Sequence, residues 1–262
     1  LTMTATTTTG ARRSARPLII THWREMSRNR TNFYFILVFP FLLAGMFLGM
    51  NKILSSSMQG PGPDFSVMVV PLALCMLLTG TCMTLTSGPI AEYRQHGTLR
   101  ILGTTPVSRG QFIVTHLVVR VLLALVLSAL AAALGAALDI VEPAAVWRAI
   151  IVALPSSVLF LSLGYFIGSL ISSGQAATNA ATFTGLFFLF ASGVAIPQEI
   201  LSDSIKRVLD LLPTAYFGDL LFWICGGRQG HGTLLDFAVL IASAIVVVPL
   251  AVKTFRWEAA KN

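Results

Sequence analysis

The side chains of this sequence that could perform chemistry are few, and their spacing matches no familiar site. The candidate ligands and nucleophiles are Cys75, Cys82, Cys225, His22, His96, His116 and His231. They lack the CxxC or Cys/His spacing of metal ligands. The apolar segments lack the paired Asp, Ser/His or His/Glu groups of an intramembrane enzyme, and the chain has no Gly-x-x-x-x-Gly-Lys-Ser/Thr motif. We therefore predict no catalytic residue, no metal site and no cofactor bound by this chain.

The composition indicates the elements that must carry these residues. Of the 262 residues, 55% are hydrophobic and 11% are charged, and the mean hydropathy is +0.79. A soluble domain carries about 25% charged residues. The net charge of +7 comes from basic residues that flank apolar segments, so it does not indicate a nucleic-acid partner. We predict an all-α polytopic membrane protein.

Six apolar segments are long enough to cross a membrane core of roughly 30 Å as helices. They are Phe33–Met50, Phe65–Leu85, Phe112–Leu138, Ala149–Ile171, Ala176–Ile196 and Leu234–Val252. Residues 1–16 are predicted to be a disordered cytoplasmic tail. Residues 17–32 are predicted to form a helix in the membrane interface, with a soluble juxtamembrane helix as the alternative. The six-helix transmembrane domain then covers residues 33–257, and residues 258–262 form a second tail.

The loop charges predict the orientation. With the N-terminus inside, the inner segments carry twelve basic and three acidic residues, and the outer segments carry five basic and eight acidic residues. Lysine and arginine are retained on the cytoplasmic side, so both termini are predicted to be cytoplasmic. Arg120 is the only charged residue well inside a predicted span. We expect its side chain to extend toward the inner headgroups, with lining of a cavity as the alternative.

A short, basic and polar segment, Ser87–Gln111, separates the second and third spans, and we call it the foot. Pro89 is typical of the first residue of a helix, so we predict a separate short helix in the foot that ends at Gly103–Pro106. Ser108 and Gln111 have the spacing of a capping box at the start of the third span. The foot is therefore predicted to be a defined helix and turn.

The sequence of the foot resembles a known family. The run Glu92-x-Arg94-x-x-Gly97-Thr98-Leu99, followed by Thr105-Pro106-Val107-Ser108-Arg109, resembles the loop between the second and third spans of ABC-2 type permeases. These proteins are the membrane subunits of ATP-driven exporters of antibiotics, drugs, lipids and polysaccharides. The resemblance implies a coupling helix that docks on a nucleotide-binding subunit. The residues it implies at or beside that contact are Glu92, Arg94, Gly97, Thr98, Arg100 and Arg109.

The segment after the fifth span, residues 197–225, resembles the exit from that span in the same family. A Gly-x-x-x-Pro break from Gly193 to Pro197 precedes a short amphipathic segment, and a Leu-Pro-x-x-Tyr run follows. The resemblance implies an outer re-entrant helical hairpin. Its implied gate residues are Pro197, Leu212, Pro213 and Tyr216. A structured extracellular loop is the alternative.

The resemblance also places the second and fifth spans at a central cleft. Hydroxyl groups beside aromatic rings there suit an amphipathic or apolar substrate better than a small ion. The candidate pathway residues are Thr79, Thr84, Thr178, Asn179, Thr182, Phe183 and Phe187. Contact with lipid or packing in the core is the alternative for each of them. Small residues at four-residue spacing predict close helix packing, within one chain rather than between two. They are Ala124, Ser128, Ala132, Gly164, Gly168 and Ser172.

The missing nucleotide motif and the resemblance together imply the partners. ATP and Mg would be bound by two separate nucleotide-binding ATPase subunits, and a second permease half, identical or related, would complete the complex. The expected function is export of a hydrophobic or amphipathic drug, antibiotic or lipid-like molecule across a bacterial cytoplasmic membrane. Export of a lipid-linked polysaccharide is the alternative within the family. An ion-driven secondary transporter is the alternative from another class.

Overall fold

The computed structural model describes residues 30–57, 66–97, 109–196, 202–227 and 230–255. Every regular element in these ranges is helical, which confirms the all-α prediction for the described part of the chain. The elements are α1 (Arg30–Ser57), α2 (Ser66–Leu78), the π-helix π1 (Thr79–Thr84), α3 (Leu85–Gln95), α4 (Arg109–Ala137), α5 (Ala145–Leu170), α6 (Gly174–Ala191), α7 (Asp203–Asp210), α8 (Pro213–Ile224) and α9 (Thr233–Thr254). The predicted interfacial helix lies mostly outside the described residues, and Arg30 already belongs to α1.

Five stretches of the described chain are long and apolar enough to span a membrane. They are Phe33–Ile53, Ser66–Gln95, Phe112–Ala137, Ala145–Leu170 and Thr233–Thr254. These match five of the six predicted spans. The predicted fifth span, Ala176–Ile196, corresponds to α6, which is only 18 residues long and ends at Ala191. Helix α6 carries several amides and hydroxyls, and it does not meet the length and apolarity criterion that the other five meet.

The structure corrects the prediction of a separate foot helix. Pro89 lies inside α3, and α2, π1 and α3 form one continuous 30-residue stretch from Ser66 to Gln95. The second span therefore runs directly into the foot. A proline inside a helix removes one backbone hydrogen bond, so the continuation needs another donor for the carbonyl that the proline leaves. The predicted helix end at Gly103–Pro106 and the cap at Ser108 lie outside the described residues.

Helix α5 is the centre of the bundle. It packs against α3, α4, α8 and α9, whereas α1 packs mainly against α2 at the edge. The core includes Leu74 of α2, Phe160 of α5 and Phe217 of α8, with the two phenylalanine rings 5.0 Å apart. The end of the bundle where α3 ends and α6 begins is called the foot end, and the end that carries α7 and α8 is called the hairpin end.

Candidate coupling and translocation site

Arg94 ties the end of α3 to the end of α5. Its Nη1 donates to the carbonyl oxygen of Gly168 at 3.0 Å and to that of Ser169. These carbonyls lie in the last turn of α5, where a helix has no N–H groups of its own to satisfy them and its dipole favours a cation. Arg94 therefore joins two helices of its own chain.

Glu92 and Gly97 shape the surface of the same region. The Glu92 side chain is exposed and lies over Gly174, the first residue of α6, so closely that a Cβ added at Gly174 would collide with it. Gly97 has a φ of +63° and ends the turn after α3, a conformation that favours glycine. The chain thus leaves α3 in a defined direction at a glycine with open space around it.

Of the remaining predicted coupling residues, the structure describes only the backbone of Arg109. Arg109 is the first residue of α4, and its side chain is not described. Thr98 and Arg100 lie outside the described residues. The structure therefore brings Glu92 and Arg94 together at the foot end, beside the start of α6 and the end of α5.

Glycines of α5 allow direct contact with the backbone of the second span. A Cβ added at Gly164 would lie 2.9 Å from the carbonyl oxygen of Met83, and one added at Gly168 would lie 2.7 Å from that of Ser87. Such contacts are closer than side chains permit, so only glycine fits. The prediction of close packing within one chain is confirmed here, although Ser172 lies beyond the end of α5 and is exposed. The small residues of α4, namely Ala124, Ser128 and Ala132, are buried.

The second span is not a regular α-helix, and Arg120 lies beside its irregular part. The π-helix Thr79–Thr84 is followed by Leu85, whose carbonyl would be bonded by the N–H of residue 89 in an α-helix. Pro89 has no N–H, and Nη2 of Arg120 donates to the Leu85 carbonyl oxygen at 2.9 Å instead. Arg120 is fully buried. The expected extension toward the headgroups is therefore not observed.

Three of the predicted pathway residues line one cavity. The cavity has a volume of about 70 Å³ and lies between α1, the second span and α6, where Thr79, Thr84 and Thr182 face it. The first two of these threonines are otherwise buried. Thr178 packs against Gly88 of α3 and is not part of the cavity wall. The second span and α6 thus contact each other around a small space within one chain.

The other predicted pathway residues lie on an exposed face of α6. Phe183 and Phe187 are 72% and 54% exposed, and the exposed Asn179 accepts a hydrogen bond of 3.0 Å from Nε2 of Gln175. The exposed face of α4 is different, because its described side chains, from Phe112 onward, are aliphatic. Its large exposed residues are Val114, Val118, Leu122, Val126, Leu130 and Leu134. Lipid tails suit the aliphatic face, whereas the mixed face of α6 suits protein or a water-filled cleft.

At the hairpin end, α8 inserts into the bundle between α2, α5 and α9. Leu212 precedes α8, and Pro213 is the first residue of α8 and is exposed. Tyr216 is half-buried, and its ring centroid lies 4.5 Å from that of His231. Pro197 lies outside the described residues.

The cysteine that follows α8 is a poor nucleophile, because burial raises the pKa of the Cys225 thiol to about 12.

One constellation was missed by reasoning from the sequence. Asp219 of α8, His231 and Asp236 of α9 place one ligand atom each within 4.8 Å of one another. Asp219 and His231 are 12 positions apart, and no residue pattern marks them or Asp236 as a ligand set. Only the packing of α8 against α9 brings the side chains together.

Comparison with known proteins agrees with this architecture. The family model described as ABC-2 family transporter protein matches residues 55–253, which is more than half of the chain. The chain belongs to this family. It is therefore the membrane component of a transporter, and membership in the family implies association with an ABC ATPase component. A search of curated protein sequences found no match to the chain.

Proposed function

We propose that this chain is the permease subunit of an ABC exporter in a bacterial cytoplasmic membrane, with both termini cytoplasmic. It moves a hydrophobic or amphipathic molecule outward by alternating access. Two ATPase subunits bind ATP and Mg and supply the energy, and a second permease half completes the translocation path. The observation that carries the proposal is the attachment of the foot to the bundle.

The contacts at the foot end would transmit a displacement of α3 to neighbouring helices. Arg94 fixes the end of α3 to the last carbonyls of α5, and Glu92 lies against the first residue of α6. Close-packed helices of low compressibility transmit strain rather than absorb it. A movement of the ATPase surface at Glu92 would therefore displace α3, α5 and α6 together.

The mixed face of α6 supports a cleft on that side of the chain. Its exposed amides, Gln175 and Asn179, lie in the first turns, and its exposed aromatic rings follow from Phe183 onward. An amphipathic substrate needs both kinds of contact. Since lipid would leave the amide of Asn179 without water, we place the second permease half opposite this face. The substrate pathway then runs between the two halves, along Thr182, Phe183 and Phe187.

The first test is affinity purification of the full chain from its native membrane in mild detergent. An ATP-binding subunit in equal amount supports the proposal, and a second permease chain, if different, identifies a heterodimer. Gly97→Pro should reduce the recovered ATPase severalfold, because proline cannot adopt a φ of +63°. Gln95→Ala is the matched control, since Gln95 is exposed and its change leaves the turn intact. Normal ATPase recovery and transport with Gly97→Pro would show that the foot is not the coupling element.

The exposed aromatic rings of α6 also favour a second candidate function, export of a lipid-linked polysaccharide. Phe183, Phe187 and Phe190 lie on one face and are each more than half exposed. Sugar rings stack on such faces as readily as drug molecules do. Stimulation of ATP hydrolysis in the reconstituted complex distinguishes the two candidates, since amphipathic cations and lipid-linked oligosaccharides can be added separately. The class that stimulates at the lower concentration is the substrate class.

A further inference from the structure

A group of acidic and imidazole side chains at the hairpin end plays no part in the proposed coupling. Asp219 lies on α8, His231 lies just before α9, and Asp236 lies in the first turn of α9. Asp210, the last residue of α7, is next to them. The four residues thus connect three helices at the end of the bundle opposite the foot.

The distances suit a single ion. One ligand atom from each of Asp219, His231 and Asp236 lies within 4.8 Å of the other two. Nδ1 of His231 and Oδ2 of Asp219 are joined by a hydrogen bond of 2.8 Å. Two atoms that share a zinc ion at roughly 2.1 Å are about 3.4 Å apart in tetrahedral geometry. A separation of the two atoms by about 0.6 Å, with the ion replacing the shared proton, would form the coordination sphere.

Asp236 supplies independent evidence that the group receives a ligand. Its side chain is 1% exposed, and neither of its carboxylate oxygens accepts a hydrogen bond from a described residue. It also faces Asp219, which is 2% exposed. Two carboxylates buried side by side repel each other, and a buried carboxylate normally requires a hydrogen-bond donor or a cation. A divalent cation would supply a partner for the Asp236 carboxylate and would also reduce its repulsion from Asp219.

We propose that Asp219, His231 and Asp236 bind a divalent transition-metal ion of the zinc class. One nitrogen and two oxygen ligands are typical of zinc, whereas calcium and magnesium prefer an all-oxygen sphere of six or more ligands. Nδ1 of His231 faces Asp219, and its Nε2 lies 3.9 Å from Oδ1 of Asp210. A carboxylate on the far side of the ring commonly orients a metal-binding histidine, so Asp210 is the orienting residue.

The bound ion would fasten the hairpin to the last span. Gly230 comes so close to the site that an added Cβ would lie 2.5 Å from Oδ2 of Asp219. The ring of Tyr216, a predicted gate residue, lies against that of His231. The ion would therefore hold α7, α8 and α9 together beside the gate. This inference does not depend on the identity of the transported molecule.

The test uses the full chain, purified in detergent with an affinity tag that contains no histidine and stripped of metal with EDTA. Zinc binding is measured by competition with a chromophoric chelator, with excess magnesium present. We expect one high-affinity zinc ion per chain. Asp236→Asn and His231→Gln should each weaken binding at least 30-fold, and Asp210→Asn should weaken it about tenfold, the range seen for residues behind the ligands. Asp139→Asn, an exposed carboxylate in the loop between α4 and α5, is the matched control and should bind as the parent does.

Cobalt provides a second readout that does not depend on affinity. Four-coordinate cobalt absorbs strongly in the visible range, and the absorption should disappear in His231→Gln. Gel filtration of each variant shows whether the chain is folded, and Asp210→Asn, which alters a partly exposed side chain, tests the site even if Asp236→Asn does not fold. Absence of tight zinc binding by the parent, or binding that is unchanged in His231→Gln and Asp210→Asn, would overturn the proposal.

Discussion

Arg120 and Pro89 should be energetically coupled, although they lie in different helices. Pro89 cannot supply the N–H that would bond the Leu85 carbonyl in an α-helix, and Arg120 donates to that carbonyl at 2.9 Å. Replacing Arg120 by methionine removes this donor in a buried environment. A buried carbonyl that loses its donor costs about 1–3 kcal/mol.

A double-mutant cycle isolates this effect from the other contributions of Arg120. Pro89→Ala restores an N–H at position 89, so Arg120→Met should be less destabilising in that background by about 1–2 kcal/mol. At roughly 2–4 °C per kcal/mol for a chain of this size, the melting temperatures should deviate from additivity by about 2–8 °C. The assay is thermal unfolding of the four purified chains in one detergent, followed by gel filtration with fluorescence detection.

Pro155 provides the matched control for this cycle. It lies inside α5, so Pro155→Ala restores an N–H opposite a different carbonyl, that of Ile151. The effects of Pro155→Ala and Arg120→Met should add to within about 0.5 kcal/mol. If the Pro89 pair is equally additive, Arg120 does not replace the missing N–H, and the explanation for the continuous second span is refuted.

Three further predictions concern packing and exposure. Gly168→Ala should lower the free energy of unfolding by about 1–3 kcal/mol, because the added Cβ would lie 2.7 Å from a backbone oxygen. Gly45→Ala is the control and should not lower it, because an added Cβ there has no neighbour within 4 Å. Thermal unfolding compares the two variants. In a chain whose native cysteines are replaced by alanine, Asn179→Cys should react with a charged maleimide in the assembled transporter, and Val126→Cys, on the aliphatic face of α4, should not. Arg94→Ala should speed amide hydrogen exchange severalfold at the ends of α3 and α5, and unchanged exchange would contradict the anchoring role.

The sequence predicts the spans well because the signal is local. A run of about 20 apolar residues is sufficient to identify a membrane helix, and five of the six segments meet that criterion in the structure. The foot helix was predicted incorrectly because the helix continues past Pro89, where the Leu85 carbonyl accepts a hydrogen bond from Arg120, a residue distant in sequence. The signal for a helix start at a proline is local, and a tertiary hydrogen bond overrides it.

The two candidate sites, at the foot end and at the hairpin end, also differ in how much of each can be predicted from local sequence. Arg94 was selected from a motif, but its partners, the carbonyls of Gly168 and Ser169, follow only from the packing of α3 on α5. Asp219 and Asp236 carry no motif, since each is an isolated acid beside apolar residues. Their side chains come close together only because α8 packs against α9. Local patterns therefore selected the foot residues as candidates, whereas the group at the hairpin end is found only from tertiary contacts.

The contacts divide the chain into a fixed part and an adaptable part. The second span is held by backbone contacts at Gly164 and Gly168 of α5 and by Arg120 of α4, and none of these can loosen gradually. By contrast, α1 packs mainly against α2, and the aromatic face of α6 is exposed. Packed interfaces switch between discrete arrangements rather than deforming continuously. A displacement that enters at α3 therefore carries α4, α5 and α6 with it, and we expect the change in shape at the edge of the bundle, where α1 packs mainly against α2.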